Sequence, residues 1–134
     1  MKFKKGYKYQ LTEESEFFQT RMRPDKDIET TFISLKMDGE MEVFPSYAWD
    51  GASGPTWDSN SNYRGSLGHD AEAQLMRIGL LSRSFRLASN KDLYDWCLED
   101  GMWRIRAKSW KIALDKLGAP STDPKNRKKI YEAP

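Results

Sequence analysis

Over the first third of the chain, short runs rich in aromatic and β-branched residues are separated by polar and turn-forming residues. Segments 7–11, 16–22, 30–36 and 41–47 read as strands. Asp38-Gly39, set between Met37 and Met41, predicts a hairpin turn. Pro24 and Asp25 mark a further break. Near residue 64 the apolar period changes from two to about 3.6. Residues 65–80 place Leu67, Ala71, Leu75 and Ile78 on one helical face and His69, Ala73, Met76 and Leu80 on a second. A helix apolar on two faces is expected to be central and largely buried. Segment 82–87 reads as a basic connector holding Arg83 and Arg86. Ser89 and Asp92 form a capping-box pattern that predicts a second helix from 89 to about 100, closed by Gly101. A third helix is expected over 103–117, with the core stripe Trp103, Ala107, Trp110, Leu114 and Leu117, and with Gly118 and Pro120 as its stop.

This order of elements predicts an α+β fold, an N-terminal antiparallel β-sheet packed on a C-terminal cluster of about three helices. The chain of 134 residues is expected to form one domain over 1–118: a sheet region at 1–47, an ordered loop at 48–63 and helices at 64–118. Loop 48–63 holds Asp50, Gly51, Ser53, Gly54, Trp49 and Trp57. An irregular stretch this long inside a small domain is often functional, and its two tryptophans suit a packed loop that offers a binding surface.

Composition narrows the chemistry. Aromatic residues make up 13% of the chain, too many anchors for a disordered protein. No run approaches the ~20 apolar residues of a membrane-crossing helix, and the basic start MKFKKGYKYQ lacks the apolar stretch of a signal peptide. The single Cys97 excludes an internal disulfide, and the single His69 excludes any two-histidine mechanism. The net charge of +2 comes from segment 119–134, where Lys125, Arg127, Lys128 and Lys129 outnumber Asp123 and Glu132. That segment is expected to be a basic, solvated C-terminal tail. Nucleic acid is therefore not the expected partner, the one candidate patch being Arg83, Arg86, Arg104 and Arg106.

His69-Asp70 is the one pair able to run acid/base chemistry. A neutral imidazole activates water at working pH, and the adjacent carboxylate is a hard-cation ligand. On a helix the two side chains lie about 100° apart, so they address two sides of one pocket. The competing reading is a hydrogen-bonded core histidine, bonded to a carbonyl, with Asp50 or Asp70 holding loop amides. Ser53 lies outside any nucleophile-elbow pattern, and Cys97, beside Trp96 and Leu93, reads as a buried core residue.

Asp50-Gly51-Ala52-Ser53-Gly54-Pro55, followed by Leu67-Gly68-His69-Asp70, by Ala88-Ser89-Asn90 and by Gly101-Met102, resembles a family of small tailed-phage and prophage proteins of unknown function. The likeness spans about 47–118. It implies a bacteriophage-encoded accessory or virion-associated protein, located in the infected host cytoplasm or the virion, with other phage or host proteins as partners. The H-D helix also resembles that of secretory-type phospholipases. That likeness implies His69 as the general base and Asp70 as a calcium ligand. The orienting position falls at Asn90, where that family has Asp, or at Asp92. Three expectations follow: an interaction protein with a structural polar cluster and no cofactor, a calcium-assisted ester hydrolase, or a host-factor or nucleic-acid binder acting through the basic tail together with Arg83, Arg86, Arg104 and Arg106.

Overall fold

The computed structural model describes residues 1–6, 9–51 and 58–126. The N-terminal region forms two small antiparallel sheets. The first has the order β1 (Phe3–Lys4), β2 (Tyr9–Leu11), β7 (Ala48–Trp49), with Phe3 opposite Leu11 and Tyr9 opposite Trp49. The second runs β3 (Glu16–Gln19), β6 (Glu40–Val43), β5 (Ile33–Leu35), β4 (Ile28–Glu29), with Phe18 opposite Met41 and Ile33 opposite Val43. Strand periodicity sorts the faces: Phe18 is buried while its neighbour Phe17 is exposed. Gly39 closes the β5–β6 hairpin at φ 92°, a conformation that disfavours any side chain, and Asp38 Oδ1 accepts the Glu40 N–H. The two-residue strands β1, β4 and β7 were not legible as periodic runs.

Three helices follow: α1 (Tyr63–Arg77), α2 (Arg86–Glu99) and α3 (Arg104–Leu117). Helix α1 packs on α2, and α2 on α3. One apolar core joins Phe18, Met22, Ile33, Leu35, Met41 and Val43 of the sheet region to Leu67, Ala71, Leu75 and Met76 of α1, and includes Trp96 of α2. A second core joins Leu93 and Cys97 of α2 to Ala107, Trp110 and Leu114 of α3. The α+β arrangement expected from the period change is therefore present, with α1 as its buried central helix. Gly68 makes the close approach possible. A Cβ there would stand 2.7 Å from both the Phe18 and Trp96 rings, whose centroids are 4.7 Å apart.

Three expectations are corrected. Helix α2 begins at Arg86, after a short 3-10 turn at Arg83–Phe85 that Ser82 caps by accepting the Ser84 N–H. Ser89 and Asp92 are thus inside the helix and buried, and they bond across to other elements instead of capping their own. In α3 only Ala107, Trp110 and Leu114 of the expected stripe are buried. Trp103 precedes the first helical turn and is 84% exposed, and Leu117 at the last turn is also exposed. Finally, the tail does not leave the body at 119. Ala119–Thr122 and Pro124–Asn126 form 3-10 turns against α1, Thr122 is buried, and Arg83 bonds Thr122 Oγ1 (3.2 Å) and the Ala119 carbonyl (3.3 Å). Among the described residues, no helix is long and apolar enough to cross a membrane.

Candidate functional site

The site is built on α1. Asn62 Oδ1 accepts the Ser59 N–H and turns the chain into the helix, which carries His69 and Asp70 at its middle. His69 faces α2, where its Nε2 lies 2.7 Å from Asn90 Oδ1. Asn90 Nδ2 donates in turn to Asp115 Oδ1 of α3 at 2.9 Å, and Lys111 Nζ donates to Asp115 Oδ2 at 2.7 Å. This relay fixes protons as well as positions. A carboxylate only accepts, so the amide of Asn90 turns its NH2 to Asp115 and its oxygen to His69. Nε2 must then carry the ring proton, which leaves Nδ1 as the basic nitrogen. Nδ1 makes no hydrogen bond among the described residues, and the residue as a whole is half-buried.

Electrostatics agree with that assignment. Burial pulls the His69 pKa below its ordinary value, against the upward pull of Asn90, Asp70 and Asp92, and so favours the neutral ring. Burial also acts upward on Asp115, but hydrogen bonds from Lys111 and Asn90 outweigh it and hold this carboxyl below the usual range. Of the two candidates, Asn90 is therefore the residue that meets the His69 ring. Asp92 turns elsewhere, accepting the Arg21 backbone N–H (3.0 Å) and the Arg21 guanidinium (2.8 Å).

Asp70 leaves α1 on the other side. The Tyr47 hydroxyl stands 3.0 Å from Asp70 Oδ2 and 3.1 Å from the amide of Gln74. With one proton to give, it serves the carboxylate. Burial raises the Asp70 pKa, opposed by Arg77 and Tyr47. Among the described residues no three His, Cys, Asp or Glu side chains stand together as a metal-holding group. Asp50 is exposed, and Gly51, at φ 90°, lets Asp58 approach; a Cβ there would meet Asp58 Oδ1 at 2.6 Å. Ser53, Gly54 and Trp57 lie outside the described residues.

Several sequence-based assignments change. Trp49 offers no binding surface: it is buried, and its Nε1 donates to Ser66 Oγ at 3.0 Å. The carbonyl that His69 bonds is that of the Asn90 side chain. The arginine patch is largely consumed internally. Arg83 is held by the 119–123 turn, Arg86 by the Leu114 and Asp115 carbonyls, and Arg106 by Ser59. Cys97 is buried as expected, and burial pushes its thiol up to about 12, which removes it as a nucleophile at neutral pH.

The sequence reading missed Glu72. It sits one turn beyond His69 and is fully buried, with Ser89 Oγ donating to Oε1 at 3.0 Å and no donor at Oε2 among the described residues. Burial, then the proximity of Asp92, raises its pKa well above the ordinary carboxyl value. Protonated, Glu72 offers Asp92 a donor and relieves the orphaned oxygen. The available signal was an acid set between the core alanines Ala71 and Ala73, at i+3 from His69. Asp115 was equally readable only as an ordinary i,i+4 partner of Lys111. A pocket of about 270 Å³, lined by Ser61, Gly101, Met102, Trp103 and Arg106, opens at the start of α3, and no member of the His69 relay lines it.

No family model, curated protein or solved structure matches this chain.

Proposed function

We propose that the chain is a bacteriophage-encoded accessory or virion-associated interaction protein in which the His69–Asn90–Asp115 relay is a structural tie. The observation that carries this reading is the way the polar groups are spent. One relay links α1, α2 and α3, and Asp70, Asp92 and Asp115 each have protein partners at hydrogen-bonding distance. The phage setting rests on the Asp50-Gly51-Ala52-Ser53-Gly54-Pro55 and His69-Asp70 resemblance. The test joins an immunoblot of lysates and gradient-purified particles from an induced lysogen to thermal unfolding of His69→Ala with and without calcium. The expected result is protein that accumulates after induction and a variant that loses stability equally under both conditions. Absence from induced lysates would overturn the phage setting. Ester hydrolysis by the wild type that disappears in a still-folded His69→Ala would overturn the structural role.

One observation favours a second reading, an ester hydrolase. Nε2 is occupied by Asn90, and Nδ1 is left as a base without a hydrogen-bond partner among the described residues, on a residue that is only half-buried. In that role Nδ1 takes a proton from water as the water oxygen adds to an ester carbonyl, and returns it to the alcohol oxygen as the ester C–O bond breaks and the acid is released, while Nε2–H keeps its bond to Asn90. The same assay, run on short- and long-chain esters with and without calcium, decides between the readings.

A further inference from the structure

The outer face of α3 combines large apolar and basic side chains. Between 103 and 117 the exposed side chains are Trp103, Arg104, Ile105, Lys108, Ser109, Ile112, Lys116 and Leu117. Four are large and apolar, three are basic and none is acidic, in a chain whose totals are 22 basic and 20 acidic residues. Trp103 and Ile105 are 84% and 83% exposed, Leu117 is 73% exposed and Ile112 is 43% exposed. Ile105 and Ile112 are seven residues apart and share a face, about opposite to buried Ala107, Trp110 and Leu114. Arg104, Lys108 and Lys116 form no ion pair among the described residues, unlike Lys111, which Asp115 holds.

Exposed isoleucines and a tryptophan cost solvation free energy that a solitary soluble domain avoids when they cluster. Unpaired bases beside them select an anionic counterpart. The face is a convex helix with apolar tips and long cationic side chains. A protein partner would need a matching acidic groove, whereas a lipid surface accepts any such helix lying flat. Apolar tips then enter the acyl boundary, Trp103 sits at headgroup level, and the bases reach anionic headgroups. We infer that the exposed face of α3, centred on Trp103, Ile105 and Ile112 with Arg104, Lys108 and Lys116, docks on an anionic lipid surface. This assignment stands whether His69 is structural or catalytic, because no residue of the relay belongs to the face.

The test is sedimentation of the purified full chain with vesicles of phosphatidylcholine alone or mixed with phosphatidylglycerol. Binding to the anionic vesicles is expected to exceed binding to the neutral ones by at least about tenfold and to fall as salt is raised. The paired variants Ile105→Ser/Ile112→Ser and Lys108→Glu/Lys116→Glu are expected to abolish it. All four side chains are exposed, and unchanged thermal unfolding confirms that the variants are folded. Absence of vesicle binding, equal binding to both vesicle types, or binding that survives either paired variant would overturn the inference. So would binding of soluble poly-L-glutamate by the same face without vesicle binding, which would assign the face to an acidic protein partner.

Discussion

His69 and Asp115 do not touch, yet Asn90 joins them through contacts of 2.7 and 2.9 Å, so the carboxylate on α3 dictates which nitrogen of the imidazole on α1 carries the proton. The middle residue bears the whole coupling. Asn90→Ala removes the partner of His69 Nε2 and the Asn90 bond to Asp115 Oδ1, and opens a small void. It is expected to lower unfolding free energy by about 1–3 kcal/mol in urea titrations. Asp115→Asn tests the direction of the relay. Either end of an amide can then face Asn90, so the Nε2–H tautomer loses its enforcement, visible as a change in the imidazole 15N shifts.

The pH dependence of stability carries the signature of His69. Its folded pKa is lowered by burial. Above the unfolded value, about 6.5, both states are neutral and stability is at its full value. As pH falls below that value the unfolded state takes the proton more readily, and stability declines until the folded value is reached. His69→Gln, which still offers a donor to Asn90, is expected to remove this acid-side decline. Urea titrations between pH 7.5 and 5 check it (a range of about two and a half units around the unfolded value).

Glu72 predicts the opposite slope. Its folded pKa is raised above the unfolded value, so its contribution is fully present below the unfolded pKa and is lost as pH rises through the folded one. Glu72→Gln keeps the shape and donates to Asp92 without a titrating proton. The variant is expected to match the wild type in acid and to gain on it as pH rises, by about 1–3 kcal/mol once the wild-type carboxyl would ionise. An alkaline stability profile of the two proteins reads the difference directly.

Much of the framework was readable in the chain. The Asp38-Gly39 hairpin, the two-faced pattern around Leu67 and Met76, and the stop at Gly101 all correspond to observed elements, because each depends on neighbours within a turn or two. What escaped depends on distant partners. Ser89 and Asp92 looked like a cap because capping and burial use the same polar residues, and only Glu72 and Arg21, supplied by other elements, reveal the difference. Trp103 fitted a helical stripe by spacing but stands before the helix, where the 3.6 period has not begun. His69 and Asn90 were both picked out, whereas Asp115 stayed hidden on a third helix.

Arg21 supports the same seam from the sheet side. It holds buried Asp92 through its guanidinium and its backbone N–H. Arg21→Met keeps the latter and removes the former, leaving a poorly compensated buried carboxylate. Because the arginine is partly exposed and therefore screened, the expected loss is about 1–3 kcal/mol, below that of a fully buried pair. Chemical denaturation measures it, and Asp92→Asn in the same background is expected to recover part of the loss.

The 119–126 segment belongs to the folded body by its contacts. Removal of 119–134 exposes part of α1 and strips Arg83 of its Thr122, Ala119 and Asp123 partners. The truncated chain is expected to melt at least about 4 °C lower, the equivalent of roughly 1 kcal/mol for a domain of this size. A scanning calorimetry comparison of the two lengths provides the measurement.

Gly68 gives the fold a shared evolutionary constraint. With the Phe18 and Trp96 rings 2.7 Å from where a Cβ would stand, position 68 cannot acquire even a methyl group while both rings keep their places. Drift at any one of these three sites is therefore conditional on the others. A lineage that replaces Gly68 must first shrink or turn an aromatic on the sheet or on α2, and a lineage that shrinks the aromatic first must tolerate a void beside Gly68. The three positions are expected to change as a set, and an alignment of diverged copies would show them as a correlated block rather than as independent substitutions.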